Sequence, residues 1–296
     1  MRDGAPVGLI GLGLMGEAFT HRLLTAKFEV VGFDIDRGKG AKLTAMGGRA
    51  VERIEDVARQ CGAIILAVFS TDQVADVIDN HLLPVLGDDS GRLVLCASTC
   101  DPDEIAAIGT RAVARGLHFL ETPVSGTSEQ VRRGESVGLI GGDVAIAAEA
   151  APILDALFAS RFHIGRIGDG GRAKLAVNLI LGLNRLALAE GLVFAERMGL
   201  DPAAFLPVAR GSAAYSQVME TKGPKMVRGD FSPEGRAKQT LKDAHLMLDQ
   251  AARLGQVLSV LQVHADVLEA CVRNGEAELD NSVVIKEIRR RTREPS

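Results

Sequence analysis

The sequence contains no tryptophan and a single tyrosine, Tyr215, and aromatic residues make up 4% of its 296 residues. Such scarcity argues against a surface on which nucleic-acid bases stack. Basic tracts are missing as well, and the formal net charge is −4. The composition therefore disfavours nucleic acids and anionic membrane surfaces as partners.

Cysteine is also rare, and its four positions form no metal-binding pattern; they are Cys61, Cys96, Cys100 and Cys271. No histidine pair complements them. We interpret them as buried thiols in a reducing compartment and predict no metal site. No secretory leader is visible, because glycines break the N-terminal apolar stretch and no small-residue cleavage site follows. A cytoplasmic location is the expectation.

One long apolar stretch, Leu175–Ala195, has the length of a membrane span. Asn178, Asn184, Arg185 and Glu190 interrupt it, and such residues are costly at membrane depth. A helix that is apolar on nearly all sides is also typical of a central buried helix. The interruptions favour this second interpretation, so no membrane partner is predicted.

The length and a 47% hydrophobic content predict a globular protein with two domains. In the first half, apolar runs such as Val7–Ile10, Ala63–Phe69 and Arg92–Ala97 alternate with helical patterns. This alternation predicts an α/β fold, a Rossmann-type doubly wound sheet over residues 1–165. Beyond a glycine-rich hinge, residues 166–296 show helical patterns alone and predict an all-α domain that begins with a long interdomain helix.

The first apolar run leads into a Gly-x-Gly-x-x-Gly motif made of Gly11, Leu12, Gly13, Leu14, Met15 and Gly16. In this arrangement the glycines permit a tight turn, close approach of a pyrophosphate and packing of helix on strand, and the phosphates lie at the helix N-terminus. A second apolar run ends at Asp34, where a carboxylate binds a ribose 2′-hydroxyl. The spacing predicts a dinucleotide site.

Asp34 also bears on which dinucleotide binds. A carboxylate repels the 2′-phosphate of NADP, and Ile35 stands where an NADP site usually has arginine. These residues predict NAD, while the nearby Arg37 keeps NADP as an alternative.

Two further features could carry chemistry. Lys174 and Asn178 lie four residues apart at the start of the long apolar helix, so they share one face. A partly desolvated lysine there would suit proton transfer near neutrality. The small-residue turn Thr122–Thr127 could present backbone N–H groups and the Ser125 hydroxyl to a carboxylate. A first-turn surface lysine and a plain surface turn are the alternatives.

These motifs together resemble the β-hydroxyacid dehydrogenases, a family that includes 3-hydroxyisobutyrate dehydrogenase and tartronate semialdehyde reductase. The similar segments are the cofactor signature Gly8–Gly16, the turn Ser98–Pro102, the substrate loop Pro123–Gly126, the helix start Gly168–Asn178, and the late motif formed by Phe231, Pro233, Lys242 and Asp243. Their order along the chain matches that of the family. The resemblance covers nearly the whole sequence.

The resemblance implies a role for each matching residue. Lys174 would be the general acid and base of a hydride transfer between NAD(H) and a small 3-hydroxy acid or its semialdehyde. The substrate's carboxylate and hydroxyl would be held by Ser125, Gly126, Thr127 and Asn178. Besides the glycine motif and Asp34, the cofactor would contact Phe69, Ser70, Thr99 and Lys242. The partners expected are a small carboxylate substrate and further copies of the chain, as a dimer or tetramer.

The sequence departs from the family's pattern beside the substrate loop. Thr127 stands where a second glycine is usual, Leu179 replaces a second asparagine, and Ser128–Arg133 is larger and more polar than the family's small residues. Gln130 and Arg132 are therefore candidates for a polar wall that favours hydroxylated or anionic substrates; the alternative is that Glu129, Arg132 and Arg133 form only a solvated rim. An imine reductase and a non-catalytic nucleotide-binding module are the alternative functions, and the presence of Lys174 argues against both.

Overall fold

The computed structural model describes residues 4–88 and 90–292. The chain forms two compact units, Met1–Lys174 and Leu175–Ser296. Their boundary lies inside one continuous helix, whereas the sequence pattern places the domain boundary at residues 165/166. The sequence pattern changes at residue 165, but the residues up to Lys174 still make most of their contacts within the first unit.

The first unit is built on a nine-stranded sheet. Its strands are β1 (Val7–Ile10), β2 (Val30–Phe33), β3 (Arg49–Ala50), β4 (Ala63–Leu66), β5 (Leu93–Cys96), β6 (His118–Glu121), β7 (Val124–Ser125), β8 (Val137–Gly142) and β9 (Ser160–Gly165). The order is β3-β2-β1-β4-β5-β6-β8-β7, and β9 pairs with β8. Strands β1 to β6 are parallel to one another, whereas β8 runs antiparallel to β6.

Helices cover both faces of this sheet. They are α1 (Leu14–Thr25), α2 (Arg37–Ala45), α3 (Ile54–Gln60), α4 (Thr71–Asp76), a π-helical segment (Val77–Leu82), α5 (Leu83–Leu86), α6 (Pro102–Ala114), α7 (Ser128–Arg133), α8 (Val144–Glu149) and α9 (Ala151–Leu157). Alternate residues of one strand enter opposite cores: Ala63 and Ile65 of β4 belong to one cluster, and Ile64 and Leu66 to the other. Burial on both faces explains why these strands are continuously apolar. The predicted doubly wound fold is confirmed.

The second unit is helical, and its described residues form no strand. Its helices are α10 (Asp169–Arg197, which begins in the first unit), α11 (Pro202–Arg210), α12 (Val218–Thr221), α13 (Gly223–Arg228), α14 (Ala237–Arg253), α15 (Ser259–Arg273) and α16 (Val284–Arg290). Leu186, Ala189 and Leu192 of α10 pack with Val267 and Leu268 of α15 in its main core. This unit confirms the predicted helical region.

Two expectations about elements need correction. The strand β9 was not predicted, because nearly all of its side chains are exposed and no apolar run marks it. Helix α10 is not buried on all sides. In its most apolar stretch of 18 residues 39% is buried, and Ile180 and Phe194 are exposed. By length and composition this helix could cross a membrane. Other elements of the chain cover one side of α10. The apolar side that includes Ile180 and Phe194 stays exposed.

Candidate active site

The glycine motif forms the turn between β1 and α1. Gly11 has a φ of +94°, and its N–H donates to the Phe33 carbonyl at 2.9 Å. A Cβ on Gly11 would lie 2.5 Å from the Ala67 oxygen, and one on Gly16 would collide with the Gly11 carbonyl. The turn is therefore packed against the end of β4, at the point where the strand order reverses. Ligands of open α/β sheets bind at such points.

Gly13 leaves open space beside the turn, which the close approach of a pyrophosphate requires. A Cβ added there would meet nothing within 4 Å, so this side of the turn is open. Gly13 is also the N-cap of α1, and no side chain among the described residues caps the helix there. The first-turn N–H groups of α1, starting at Leu14, can thus bind a phosphate. Met15 turns inward and packs against the core.

Asp34 follows β2, and backbone groups hold its carboxylate. Its Oδ2 accepts the Leu12 N–H at 2.8 Å and its Oδ1 accepts the Asp36 N–H at 2.9 Å. Lys39 Nζ lies 3.2 Å from the carboxylate. Arg37, whose side chain is 90% exposed, pairs instead with Glu52. Sequence reasoning missed Lys39, although a basic residue one helical turn into α2 was the available signal.

Three further predicted cofactor residues follow the neighbouring strands β4 and β5. Phe69 is exposed, and its N–H donates to Gln73 Oε1 at 2.8 Å. Ser70 caps α4 by accepting the Gln73 N–H. Thr99 lies two residues before Asp101, which caps α6 as predicted. Since parallel strands end at one edge, these residues share that edge with Gly11 and Asp34; their contact with a cofactor stays a prediction.

The predicted substrate turn follows β6 on the same sheet. Ser125 ends β7, Gly126 has a φ of +145°, and Thr127 caps α7 in a capping box with Gln130. Gln130 Oε1 accepts the Thr127 N–H at 2.8 Å. The Gln130 side chain is thus occupied in holding the turn, which is a local role that the sequence pattern did not predict.

The two arginines after this turn form ion pairs. Arg132 pairs with Glu17 of α1 at 3.0 Å, and Arg133 pairs with Glu135 at 2.9 Å. These pairs join α7 to α1 and to its own C-terminus. A polar wall for the substrate therefore stays a prediction, and for Gln130 and Arg132 the structure offers a structural role instead.

Lys174 lies in the second turn of α10 and is 8% exposed. A lysine so placed is largely removed from solvent at the point where the helix leaves the sheet, as the sequence pattern anticipates. Below it, Glu121 at the end of β6 accepts the N–H groups of Gly168 and Gly171. Sequence reasoning missed Glu121, although a lone acid ending a buried apolar strand is a detectable signal.

Asn178 and Lys242 belong to the second unit. Asn178 Nδ2 donates to Asp243 Oδ2 at 3.0 Å, and Lys242 Nζ lies 2.9 Å from Asp243 Oδ1. The buried Asp243 therefore connects two residues that the family resemblance marks. Its side-chain contacts could not be read from the Lys-Asp pair, because they depend on the packing of α14 against α10.

The cysteines are buried thiols, in agreement with their interpretation from the sequence. A hydrogen bond with Cys100, followed by burial, raises the pKa of the Cys96 thiol well above its ordinary value. Among the described residues no group of three or more potential ligands could hold a metal ion.

Comparison with known proteins agrees with this arrangement. Residues 6–165 match the NAD binding domain of 6-phosphogluconate dehydrogenase. Residues 168–288 match the NAD-binding family of NADP-dependent 3-hydroxyisobutyrate dehydrogenase. Together the two models show that this protein binds NAD(P).

Individual relatives are similar over most of their length. Glyoxylate/succinic semialdehyde reductase 2 of Arabidopsis thaliana is 27% identical over 96% of this chain and 79% of that protein. The 2-hydroxy-3-oxopropionate reductase of Escherichia coli is 28% identical over 95% of this chain and 96% of that protein. The crystal structure of 3-hydroxyisobutyrate dehydrogenase from Salmonella typhimurium has a TM-score of 0.87 at 26% identity and covers 95% of this chain and 99% of its own.

Proposed function

Because the chain belongs to the β-hydroxyacid dehydrogenase family, as an NAD(P)-dependent hydroxyacid dehydrogenase, we propose that it interconverts a small 3-hydroxy acid and its semialdehyde with NAD(H). The observation that carries this proposal is the burial of Lys174 at the start of α10, in the position of the family's acid/base lysine. An imine reductase or a non-catalytic module would have no need of this lysine.

In the proposed mechanism Lys174 is the group that donates or accepts the proton of the substrate's oxygen. NAD(H) held at the Gly11–Gly16 turn would supply or accept the hydride through its nicotinamide. In reduction, Lys174 Nζ gives a proton to the carbonyl oxygen of the semialdehyde; in oxidation, the neutral amine takes the proton from the hydroxyl. Burial of the side chain keeps water from competing for this proton.

The turn after β6 is proposed to hold the substrate's carboxylate. Ser125 contributes a hydroxyl, and Gly126, whose φ is +145°, contributes a backbone N–H that can face an anion, while the N–H of Thr127 is held by Gln130. The capping box of Thr127 and Gln130 keeps this turn in one conformation, so the donors are oriented before the substrate binds. The substrate role of Asn178 and the cofactor role of Lys242 rest on the family resemblance.

NAD is proposed as the preferred cofactor. The Asp34 carboxylate is held at the end of β2 by two backbone N–H groups, where it can accept the ribose 2′-hydroxyl and repel a 2′-phosphate. Lys39 weakens this repulsion because it lies beside the carboxylate. The preference is therefore expected to be moderate.

Self-association is proposed from the uncovered side of α10. Ile180 and Phe194 are exposed on this helix, and Met198 and Leu200 are exposed just beyond it. Several large apolar side chains left exposed along one helix and at its end are typical of an interface. Light scattering that finds a monomer at micromolar concentration would contradict this proposal.

The test of the function is a set of substrates assayed by loss of NADH absorbance. 2-Hydroxy-3-oxopropionate, whose reduction gives a 3-hydroxy acid, is compared with glyoxylate and succinic semialdehyde, which give a 2-hydroxy and a 4-hydroxy acid, and with propionaldehyde, which lacks the carboxylate. We expect kcat/KM for 2-hydroxy-3-oxopropionate to exceed the values for the other two acids, and to exceed that for propionaldehyde by on the order of 10²-fold, because the site's donors would otherwise be unpaired. Equal rates for propionaldehyde, or a preference for a cyclic imine, would overturn the proposal.

A further inference from the structure

Glu121 is the last residue of β6, and the residue is 3% exposed. Both carboxylate oxygens are used. Oε2 accepts the Gly168 N–H, and Oε1 accepts the Gly171 N–H at 3.1 Å. The first N–H groups of a helix have no partner within the helix, and a negative charge is favourable there. Glu121 therefore supplies from the sheet the partner that the start of α10 lacks.

The backbone around this carboxylate is closely packed. A Cβ on Gly141 of β8 would lie 2.7 Å from Glu121 Oε2, and a Cβ on Gly170 would lie 3.1 Å from the Gly141 nitrogen. Glycine at these positions lets β8 and the first turn of α10 approach the carboxylate from two sides. This close fit leaves the helix start little freedom while both hydrogen bonds exist.

Glu121 is also linked to the two proposed catalytic features, by the chain to one and by its hydrogen bonds to the other. The chain continues from Glu121 directly into the turn that contains Ser125, and Lys174 follows Gly171 by three residues, about one helical turn. A displacement of about 1 Å between an acid/base group and its substrate can reduce a rate by on the order of 10²-fold. The end of β6, where Glu121 lies, therefore affects the position of Lys174 and the position of the turn that contains Ser125.

We propose that Glu121 is a positioning residue: its carboxylate ties the amides of Gly168 and Gly171 to the end of β6 and thereby sets the position of Lys174. The proposal rests on the acid/base role of Lys174 given above. Glu121 contacts backbone groups and is itself assigned no part in the transfer of the proton or the hydride.

The charges around Glu121 make this tie depend on pH. Burial raises the pKa of Glu121 to about 7, while the Gly168 and Gly171 N–H groups and Arg172 lower it, and Asp169 raises it. The Arg172 charge does not act on Glu121 alone, because Arg172 also forms an ion pair with Asp103. From β5, the neutral thiol of Cys96 is the neighbouring titratable group. Below about pH 7 a proton on either oxygen faces an N–H group, so one hydrogen bond is lost and the tie loosens.

The main test compares Glu121→Gln with a matched control, Glu287→Gln. Glutamine has the same shape, but it accepts one N–H and places its own donor against the other. Glu287 is also buried, in α16 of the second unit, where it pairs with Arg290 and Arg291. We expect Glu121→Gln to lower kcat by about tenfold or more with little change in the KM for NADH, and the control to leave kcat within about twofold.

Two readouts do not need turnover. Hydrogen exchange of a peptide covering residues 166–174 is expected to become faster in Glu121→Gln, and the acylation rate of Lys174, measured against the exposed Lys42, is expected to change. Stability at about pH 8 is expected to stay equal or rise, because a buried charge is removed. A residue with a purely structural role would instead lose stability and activity in parallel.

These readouts separate the possible failures. Unchanged exchange over residues 166–174, or an unchanged Lys174 acylation rate, overturns the positioning role whether or not a substrate has been found. An inactive wild-type enzyme contradicts the proposed function. Hydrogen exchange and Lys174 acylation would still test whether Glu121 holds the start of α10.

A measurement on the wild-type protein covers the case in which Glu121→Gln does not fold. Exchange of the Gly168 and Gly171 amides, corrected for the intrinsic rate, is expected to rise as pH falls through about 7. The amides of Ala145 and Ile146, which Asp143 caps at the start of α8, are the internal control. A profile at Gly168 and Gly171 parallel to that of the control would overturn the proposal.

Discussion

Each unit of the molecule buries an ionisable side chain, and the two side chains differ in their partners. In the first unit, Glu121 accepts two backbone N–H groups. In the second, His264 is 1% exposed, and neither ring nitrogen has a hydrogen-bond partner within the described part of the chain. Its ring lies against Gly182 of α10, where a Cβ would be 2.8 Å from the ring. Glu121 is fixed to the backbone, whereas His264 fills space between helices.

The difference teaches what a buried ionisable group can do. A group bonded to the backbone of another element transmits its protonation state to that element, because the bonds change with the proton. A group without partners transmits nothing and adds only the cost of its own ionisation. Burial alone therefore does not identify a functional residue; its partners do.

The two groups also change stability with pH in opposite directions. The pKa of Glu121 is raised from 4.5 to about 7 in the folded state, chiefly by burial, so its contribution to stability is largest at low pH and is lost as pH rises through about 7. The pKa of His264 is lowered from 6.5 to about 3, by burial and then by Arg185. Its contribution is present above about pH 6.5 and is lost as pH falls.

The largest effect is expected at Lys174, the group that the tie from Glu121 is proposed to position. Replacing Lys174 by Ala should lower kcat on the order of 10²–10⁴-fold, because the reacting oxygen loses its proton donor. The affinity for NADH, measured by fluorescence titration, should change little. Lys238→Ala, at a lysine paired with Glu278, is the control. A Lys174→Ala enzyme that keeps more than half of the wild-type kcat would refute the acid/base role.

His264→Leu tests the other side of the comparison. The leucine cannot take up a proton, so the free energy of unfolding near pH 4.5 should rise by about 2 kcal/mol relative to wild type, with a much smaller change near pH 8. Urea titrations at the two pH values measure this. His245→Leu, at an exposed histidine that pairs with Glu269, should not show the pH-dependent gain. A loss of kcat in His264→Leu at full stability would show that the comparison is wrong.

A pair of glycine substitutions asks whether backbone geometry supports the fold or the ligand in the first unit. Gly16→Ala places a methyl group against the Gly11 carbonyl and should lower the free energy of unfolding by about 1–3 kcal/mol. Gly13→Ala enters open space, so stability should stay nearly unchanged while the Kd for NADH rises about tenfold. Thermal denaturation and fluorescence titration give the two numbers. Equal losses of stability would mean that the Gly13 side of the turn is not open for a ligand.

The smallest effect concerns Asp34, a second carboxylate held by backbone N–H groups. Asp34→Ala should reduce the ratio of kcat/KM for NADH over NADPH by about tenfold, since it removes a 2′-hydroxyl acceptor and the repulsion of a 2′-phosphate. Glu52→Ala, which removes the partner of Arg37, is the matched control and should shift the ratio less. A wild-type preference for NADPH would show that Lys39 and Arg37 outweigh Asp34.

Prediction from the sequence succeeded where residues act through local backbone geometry. The turn at Gly11, the cap at Asp101 and the start of α10 each depend on a few neighbouring residues. It failed where the decisive contact joins distant segments. Glu121 and Gly168 are 47 positions apart, and Asn178 and Asp243 are 65 apart.

The extent of burial along α10 was also not predictable from its composition. The sequence shows a helix that is apolar on nearly all sides, which is compatible with a buried core or with an uncovered face. Which sides are covered depends on the number and placement of the helices that pack against it. In the described chain, Leu186 and Leu192 are covered and Ile180 and Phe194 are not.

The sequence by itself determined the alternation of strands and helices, the nucleotide turn and the position of Lys174, because apolar periodicity and glycine conformation are properties of short segments. The tertiary structure alone decided that Glu121 is buried beneath α10 with two backbone partners and that Lys39 lies beside Asp34. It also decided that the His264 ring has no hydrogen-bond partner among the described residues. Burial and hydrogen-bond partners arise from the packing of segments far apart in the chain, and that packing sets the charge state of each group.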